Sequence, residues 1–267
     1  MKLRSSRVLR EARAGRPATV LKLNLNDPRV VEMAGLAGAS AVWLCNEHVP
    51  NDWTNLEHQV RAAKLHDMDT IVRVSKGSYS EYVKPFELDA TGIMVPHVSS
   101  ADEARHVVDM VRCHPLGRRA MDGGNMDGAF CQIPLADYAR HNNTERFVIL
   151  QIESPEALEQ VEAIAAVPGF DMLLFGAGDF SHRIGKLGQA TDPEVVAARK
   201  RVAAAALSNG KFVAVASLYG QKDEVMAEGS LVVTLGADVL ALGDAFRQMV
   251  GGFQPQAAAA RAESVYR

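Results

Sequence analysis

Two carboxylates stand at the ends of neighbouring apolar runs, Phe147-Val148-Ile149-Leu150-Gln151-Ile152-Glu153 and Met172-Leu173-Leu174-Phe175-Gly176-Ala177-Gly178-Asp179. Each run reads as a buried strand that ends in an acid, and an acid in that position is costly without a partner. On adjacent parallel strands the two would converge, and a hard divalent cation is the natural occupant of such a pair. The alternative is that each acid caps the helix that follows, as Glu153 would before Ser154-Pro155. Either acid taken alone leaves both readings open.

Other polar residues fall at comparable places. A second run, Ala41–Cys45, leads into Asn46-Glu47-His48, and Arg73 sits between Val72 and Val74. Together these supply a candidate base, a permanent cation and two candidate metal ligands. The chemistry that suits the set is enolate formation from a 2-oxo acid. A divalent metal polarises the carbonyl as a Lewis acid. An arginine holds the oxyanion from a fork of donors, and a neutral histidine moves protons near pH 7. Two carboxylate ligands leave positions for water and substrate, as Mg²⁺ sites usually do.

The elements that must position these groups alternate along the whole chain. Candidate strands are Thr19–Leu25, Ala41–Cys45, Thr70–Val74, Gly92–Pro96, Phe147–Ile152, Met172–Phe175, Phe212–Ala216 and Leu231–Leu235. Helical stretches lie between them at Pro28–Ala37, Leu56–His66, Ser80–Leu88, Ala101–Cys113, Pro155–Ala166, Pro193–Ser208 and Gln221–Glu228, and Ala237–Val250 closes the pattern. Asp27 before Pro28 and Ser100 before Ala101-Asp102-Glu103 have the cap-then-helix pattern. Eight β-then-α units in 267 residues point to one (β/α)₈ TIM barrel spanning residues 1–267, with a doubly wound open sheet as the alternative. In a barrel, Cys45, Glu47, His48, Arg73, Gln151, Glu153 and Asp179 share the C-terminal rim of the strands, where barrel active sites lie. Leu116 to Gln132 is a long Gly-, Met- and Asp-rich loop, and the stretch from Gln254 onward is either an extra helix packed on a neighbouring subunit or a frayed end.

Composition narrows the function classes. The net charge is −3 and the sharpest basic feature is Arg118-Arg119, so nucleic-acid binding has little support. The three cysteines, Cys45, Cys113 and Cys131, form no CxxC pattern and read as reduced thiols of a cytoplasmic protein. Met1 to Arg16 is basic and polar, unlike a secretory signal, and no stretch reaches membrane-spanning length.

In order along the chain stand Glu47-His48-Val49-Pro50-Asn51-Asp52, Val72-Arg73, Val95-Pro96, Gly117-Arg118-Arg119, Gln151-Ile152-Glu153 and Gly176-Ala177-Gly178-Asp179. In these motifs, from about Val20 to Val250, the chain resembles the HpcH/HpaI aldolases, the metal-dependent class II pyruvate aldolases. The resemblance implies that Glu153 and Asp179 hold Mg²⁺, Mn²⁺ or Co²⁺, that His48 is the base, and that Arg73 contacts the keto oxygen and stabilises the enolate. It further implies that Gln151 lies beside the metal and that the amides of Gly178 and Asp179 contact the pyruvate carboxylate. The implied reaction is reversible cleavage of a 4-hydroxy-2-oxo acid to pyruvate and an aldehyde. The implied assembly is a hexamer, a trimer of dimers with the last helix exchanged between subunits.

Two positions depart from the family pattern. The family reads Asp-x-Glu-His after strand two, and Cys45 stands at the Asp. A thiol replaces a carboxylate acceptor only when ionised. Glu47 keeps an acid two residues on. Glu87 stands where the family often carries an Asp, with Asp89 close by. The Cys45 departure favours oxaloacetate decarboxylation as an alternative enolate reaction, and a non-catalytic 2-oxo-acid-binding barrel is the alternative outside enzymes. Of the remaining polar residues, Arg119 is expected to be a solvated loop arginine, the alternative being that it reaches a distal carboxylate of the substrate, and His58, His66, His97, His106, His114, His141 and His182 surface or packing residues, with His97 and His182 nearest strand ends. Cys113 and Trp43 are expected in the core, and Trp53 and Tyr79 in rim loops.

Overall fold

The computed structural model describes residues 3–216 and 222–253. Eight parallel strands close into a barrel in sequential order: β1 (Ala18–Leu23), β2 (Ala41–Cys45), β3 (Asp69–Arg73), β4 (Gly92–Val95), β5 (Phe147–Ile152), β6 (Met172–Phe175), β7 (Phe212–Ala216) and β8 (Ser230–Ala237). β8 pairs with β1, which removes the free edges an open sheet would leave and decides between the two topologies. The helices are α1 (Arg7–Arg13), α2 (Pro28–Leu36), α3 (Trp53–Lys64), α4 (Tyr79–Glu87), α5 (Ala101–Val111), α6 (Leu135–Glu145), α7 (Pro155–Glu159), α8 (Val161–Ala165), α9 (Ala177–Arg183), α10 (Pro193–Ser208), α11 (Lys222–Ala227) and α12 (Asp238–Phe253).

The pleat divides the apolar residues into two cores. Val42, Leu44, Val72, Ile93, Val148, Leu150 and Leu173 pack outward against the helices. Their alternates Val20, Ala41, Trp43, Ile71, Met94, Phe147, Ile149, Met172 and Leu174 form a second cluster, whose helical members among the described residues are Val8 and Leu9 of α1. This second cluster is the barrel interior, and α1 plugs it from below. Phe147 fills that interior so closely that a Cβ on Gly92 of the neighbouring strand would lie 2.1 Å from its ring, so only glycine fits.

Helix α1 has no counterpart among the sequence expectations. Its place is set by the fully buried carboxylate of Asp69, at the start of β3, which accepts from Ser6 Oγ at 2.6 Å, Val8 N at 2.9 Å and Arg4 Nη2 at 2.8 Å. The expected helix Pro155–Ala166 is two short helices that meet at Gln160. Helices α6 and α9 were not expected. The caps at Asp27 and Ser100 hold, accepting from Arg29 N and Glu103 N.

The long loop corrects one expectation. Arg119 is not solvated: only 1% of its side chain is exposed, and it donates to Asp127 Oδ2 (3.0 Å), Asn142 Oδ1 (2.8 Å) and the Tyr138 hydroxyl (3.0 Å). The Tyr138 hydroxyl donates in turn to Asp127 Oδ2 at 2.6 Å. A buried arginine needs acceptors, and these tie the Gly-rich loop, which carries a short 3-10 turn at Met126–Gly128, to α6. Cys113 is buried as expected, although it follows α5 rather than lying in it. Trp53 and Tyr79 each begin a helix, and the Tyr79 hydroxyl accepts from Ala120 N at 2.9 Å.

Candidate functional site

The alternation that sorts the core also sorts the rim. Following the inward positions upward, Trp43 gives way to Cys45 on β2, Ile71 to Arg73 on β3, and Ile149 to Gln151 on β5. Glu153 comes next, one residue beyond the strand. Closure of the barrel therefore brings together groups far apart in sequence.

Arg73 is 5% exposed, and its guanidinium sits 4.9 Å from the centroid of the Trp43 ring. Its Nη2 donates to Cys45 Sγ at 3.1 Å. Its Nε lies 3.0 Å from Glu47 Oε2, a contact of charges rather than an aligned hydrogen bond. Glu47 carries the line onward, because its Oε1 lies 3.1 Å from His97 Nε2. The other ring nitrogen of His97 lies 2.8 Å from Glu153 Oε1, and that same oxygen accepts from the His97 backbone N at 2.6 Å. His97 holds this place with φ of 55°, a left-handed conformation uncommon outside glycine and a form of local strain often found at functional sites. Arg73, Glu47, His97 and Glu153 thus form one continuous line of charged and polar contacts across the mouth of the barrel.

Glu153 is 1% exposed. It does not cap the following helix; Ser154 does, accepting from Ala157 N. Burial above all raises the carboxyl above its usual range, the charges of Asp179 and Glu47 add to this, and His97 opposes it. Gln151 Nε2 donates to its Oε2, while Gln151 Oε1 is buried and has no hydrogen-bond partner. Backbone crowds the same carboxylate, since a Cβ on Gly176 would meet Glu153 Oε2 at 2.7 Å and Gln151 Nε2 at 3.0 Å. Gly178 and Asp179 lie in the first turn of α9, exposed at the rim. A cleft of about 300 Å³ opens beside Glu153, lined by Lys76, His97, Ser99, Ser154 and Arg183.

Acids crowded at Glu153 and an unused buried oxygen on Gln151 are suited to a hard cation, which prefers oxygen ligands. The described residues contain no cluster of three or more His, Cys, Asp or Glu side chains arranged for a metal. A cation here would therefore draw its remaining ligands from water or substrate.

Cys45 is buried. Burial alone would raise its thiol, but the Arg73 charge and hydrogen bonds from His48 N, Arg73 and Glu47 N outweigh it and hold the thiol below its ordinary range. His48 points into solvent, with 63% of its side chain exposed, and its Nε2 is 3.6 Å from Glu47 Oε2. Glu87 belongs elsewhere. Burial raises its carboxyl, and its charged neighbours are Arg119, Asp127, Asp122 and Lys84 around the long loop. Two residues that face the site were not singled out as site residues from the sequence. The signal for His97 was its place just past a strand end. The signal for Lys22 was a charge inside an apolar run, the same signal that marks Arg73.

The sequence profile described as HpcH/HpaI aldolase/citrate lyase matches residues 18–245. The chain is 30% identical to a hydroxypyruvate/pyruvate aldolase of Pseudomonas aeruginosa, over 99% of this chain and 98% of that one. It is 30% identical to a 5-keto-4-deoxy-D-glucarate aldolase of Klebsiella pneumoniae, over 86% and 90%. Among solved structures, an HpcH/HpaI aldolase from Desulfitobacterium hafniense superposes with a TM-score of 0.87 at 26% identity, over 92% of this chain and 95% of that one. Macrophomate synthase superposes with a TM-score of 0.80 at 27% identity, over 96% and 90%.

Proposed function

This chain belongs to the HpcH/HpaI aldolase/citrate lyase family, and from that premise we propose that it cleaves a 4-hydroxy-2-oxo acid reversibly to pyruvate, or a related 2-oxo acid, and an aldehyde. The chain is a carbon–carbon lyase of the aldolase type. The observation that carries the finer reading is the line Arg73–Glu47–His97–Glu153, which sets a fixed cation and a buried carboxylate on facing parts of one rim.

In this reading Glu153 and Asp179 hold a divalent cation, Mg²⁺, Mn²⁺ or Co²⁺, which when bound supplies Lewis-acid polarisation of the substrate carbonyl. Arg73 donates to the oxygen that becomes the enolate oxygen, and Glu47 and the Trp43 ring keep its guanidinium in place. The amides of Gly178 and Asp179, at the start of α9, hold the substrate carboxylate. Gln151 fixes the orientation of Glu153 through the bond to Oε2. His48 moves the proton between the nascent hydroxyl and water, with Glu47 beside its ring. His97 is a positioning residue that spaces Glu47 from Glu153.

Cys45 supports a second reaction on the same site. A thiol stands at the position of the expected carboxylate, and it meets the backbone N of His48, not the ring, at 3.4 Å. The carboxylate near the ring is that of Glu47, which also lies 3.0 Å from Arg73 Nε and 3.1 Å from His97 Nε2. Decarboxylation of oxaloacetate uses the same enolate stabilisation and needs no aldol proton transfer.

An assembly of trimers of dimers with exchanged last helices belongs to the same proposal. It is supported by a stripe of exposed apolar residues on α12, Val239, Leu242, Phe246, Met249 and Val250, at helical spacing. The last expected stretch, from Gln254, lies outside the described residues. No helix among the described residues is long and apolar enough to cross a membrane.

The deciding experiment is proton exchange on pyruvate. The protein is mixed with pyruvate and Mn²⁺, Mg²⁺ or Co²⁺ in D₂O, and the methyl signal is followed by NMR with and without EDTA. Loss of the methyl signal that requires metal is the expected result. Absence of exchange with every metal, alongside turnover of oxaloacetate, would replace aldol cleavage by decarboxylation.

A further inference from the structure

Lys22 occupies an inward position of β1, level with Trp43 on β2. Its ammonium lies 5.3 Å from the centroid of the Trp43 ring, and the Arg73 guanidinium lies 4.9 Å from the same centroid. Two cations therefore share one aromatic support at the floor of the rim. They differ in their counter-ions. Arg73 has Glu47 at 3.0 Å. Lys22 has no hydrogen-bond or ion-pair partner among the described residues, and its contact is the indole face.

The acidic groups that Lys22 senses, Cys45 first and then Asp238 and Glu47, are engaged elsewhere. Cys45 Sγ accepts from Arg73 Nη2 at 3.1 Å and from His48 N at 3.4 Å. Both oxygens of Asp238 accept backbone N–H groups, from Asn24 and Leu25 at 2.9 Å, and Glu47 is committed to Arg73 and His97. Burial first, and the charge of Arg73 second, lower the Lys22 ammonium below the usual lysine range. An ammonium removed from water and set beside another cation lacks compensation. An anionic group arriving beside it would supply that compensation.

Position decides which anion. In the closed strand order β1 is four strands from β5, so Lys22 stands on the wall opposite Glu153, with Arg73 on β3 between them. A 2-oxo acid whose carboxylate and keto groups are held on the β5–β6 side and at Arg73 extends its far end toward β1. A compact, flexible ammonium suits a single anionic group there better than the planar fork of an arginine would.

We propose that Lys22 is a second anion subsite, and that the substrate is a dianionic 2-oxo acid whose distal carboxylate binds against Lys22. The proposal rests on the enolate-forming reading of the same site, and it adds the substrate class. Trp43 serves as the floor that holds both cations apart at a fixed height in the barrel.

The test is calorimetric titration of the full-length, Mn²⁺-loaded protein with 2-oxoglutarate, 2-oxoadipate and 5-methyl-2-oxohexanoate. In the last of these an isopropyl group replaces the distal carboxylate of 2-oxoglutarate at similar shape. The wild type is expected to bind the better dicarboxylate at least about tenfold more tightly than the neutral analogue. Lys22→Met, which keeps the stem, should reduce that preference below about threefold, and Lys22→Arg should retain most of it. Without ligand, Lys22→Met should melt no lower than the wild type, because it removes an uncompensated cation. A wild type with no preference, or a Lys22→Met variant with the wild-type preference, overturns the subsite. Pyruvate exchange measured on the same preparation separates the two claims. Exchange without charge preference removes only the subsite, and charge preference without exchange removes only the enolate reading.

Discussion

His97 Nδ1 lies 2.8 Å from Glu153 Oε1 and turns its other nitrogen to within 3.1 Å of Glu47. One imidazole thus spaces the buried acid of β5 from the acid that holds Arg73. This relationship links the two halves of the site, the carboxylate half on β5–β6 and the cationic half on β1–β3. It also makes the carboxylate of Glu153 the point on which most of the site converges.

Glu153→Gln keeps the shape and removes the charge. Pyruvate exchange should fall by roughly a thousandfold or more, as expected when metal-centred charge stabilisation is lost. The folded protein should survive, because a buried carboxylate that burial already disfavours is replaced by a neutral amide. The rise in melting temperature that Mn²⁺ gives the wild type, expected from binding to the folded state alone, should disappear. EDTA should have the same effect on the wild type.

Gly176→Ala tests the packing around the same carboxylate. The new methyl would meet Glu153 Cβ at 2.6 Å and Oε2 at 2.7 Å, so Glu153 and Gln151 must move. Overpacking of this kind costs about 1–3 kcal/mol. The expected outcome is a modest loss of stability in denaturant titration with a much larger loss of pyruvate exchange. Equal and small effects on both would show that the position of Glu153 is not critical.

Arg119→Met should be among the most destabilising changes in the long loop. It leaves Asp127 buried without its charge partner, at a cost of about 3–5 kcal/mol. Arg119→Met combined with Asp127→Leu should recover part of the loss in urea unfolding. Additive losses in the double variant would show that the two residues act independently.

His141 provides a pH signature. Burial, and next the Arg146 charge, lower its pKa to about 4, and its Nε2 is buried without a partner. The unfolded value is near 6.5, so the folded state binds the proton less well. The stability contributed by neutral His141 is fully present above about pH 6.5 and is lost as pH falls from there toward about 4. His141→Asn should flatten the acid side of the stability–pH curve in that window and leave it unchanged above pH 7. A parallel curve for the two proteins would exclude His141 as a source of acid lability.

Much of the site was legible before folding because charge inside an apolar run is a strong local signal. Arg73 between two valines, Glu153 after Ile152 and Asp179 after Gly178 each stand out for that reason. The same signal was present at Lys22, but an isolated lysine gives no hint that its neighbours across the strands are Trp43 and Arg73. Glu87 and Arg119 show the limit from the other side. Both looked reasonable by spacing or loop context, yet Arg119 and Asp127 are 8 residues apart and close on each other, away from the rim.

The sequence by itself determined the alternation of strands and helices, the cap positions at Asp27 and Ser100, and the acids that follow β5 and β6, Glu153 just past its strand and Asp179 in the first turn of α9, because these follow from short-range periodicity and local chemistry. Tertiary structure alone decided that the sheet closes, that Asp69 holds α1 beneath it, and that His97 stands between Glu47 and Glu153. The side-chain contacts join residues 50 to 63 positions apart and closure pairs Val20 with Thr234, and which side chains meet across a barrel depends on strand register and closure rather than on any local pattern.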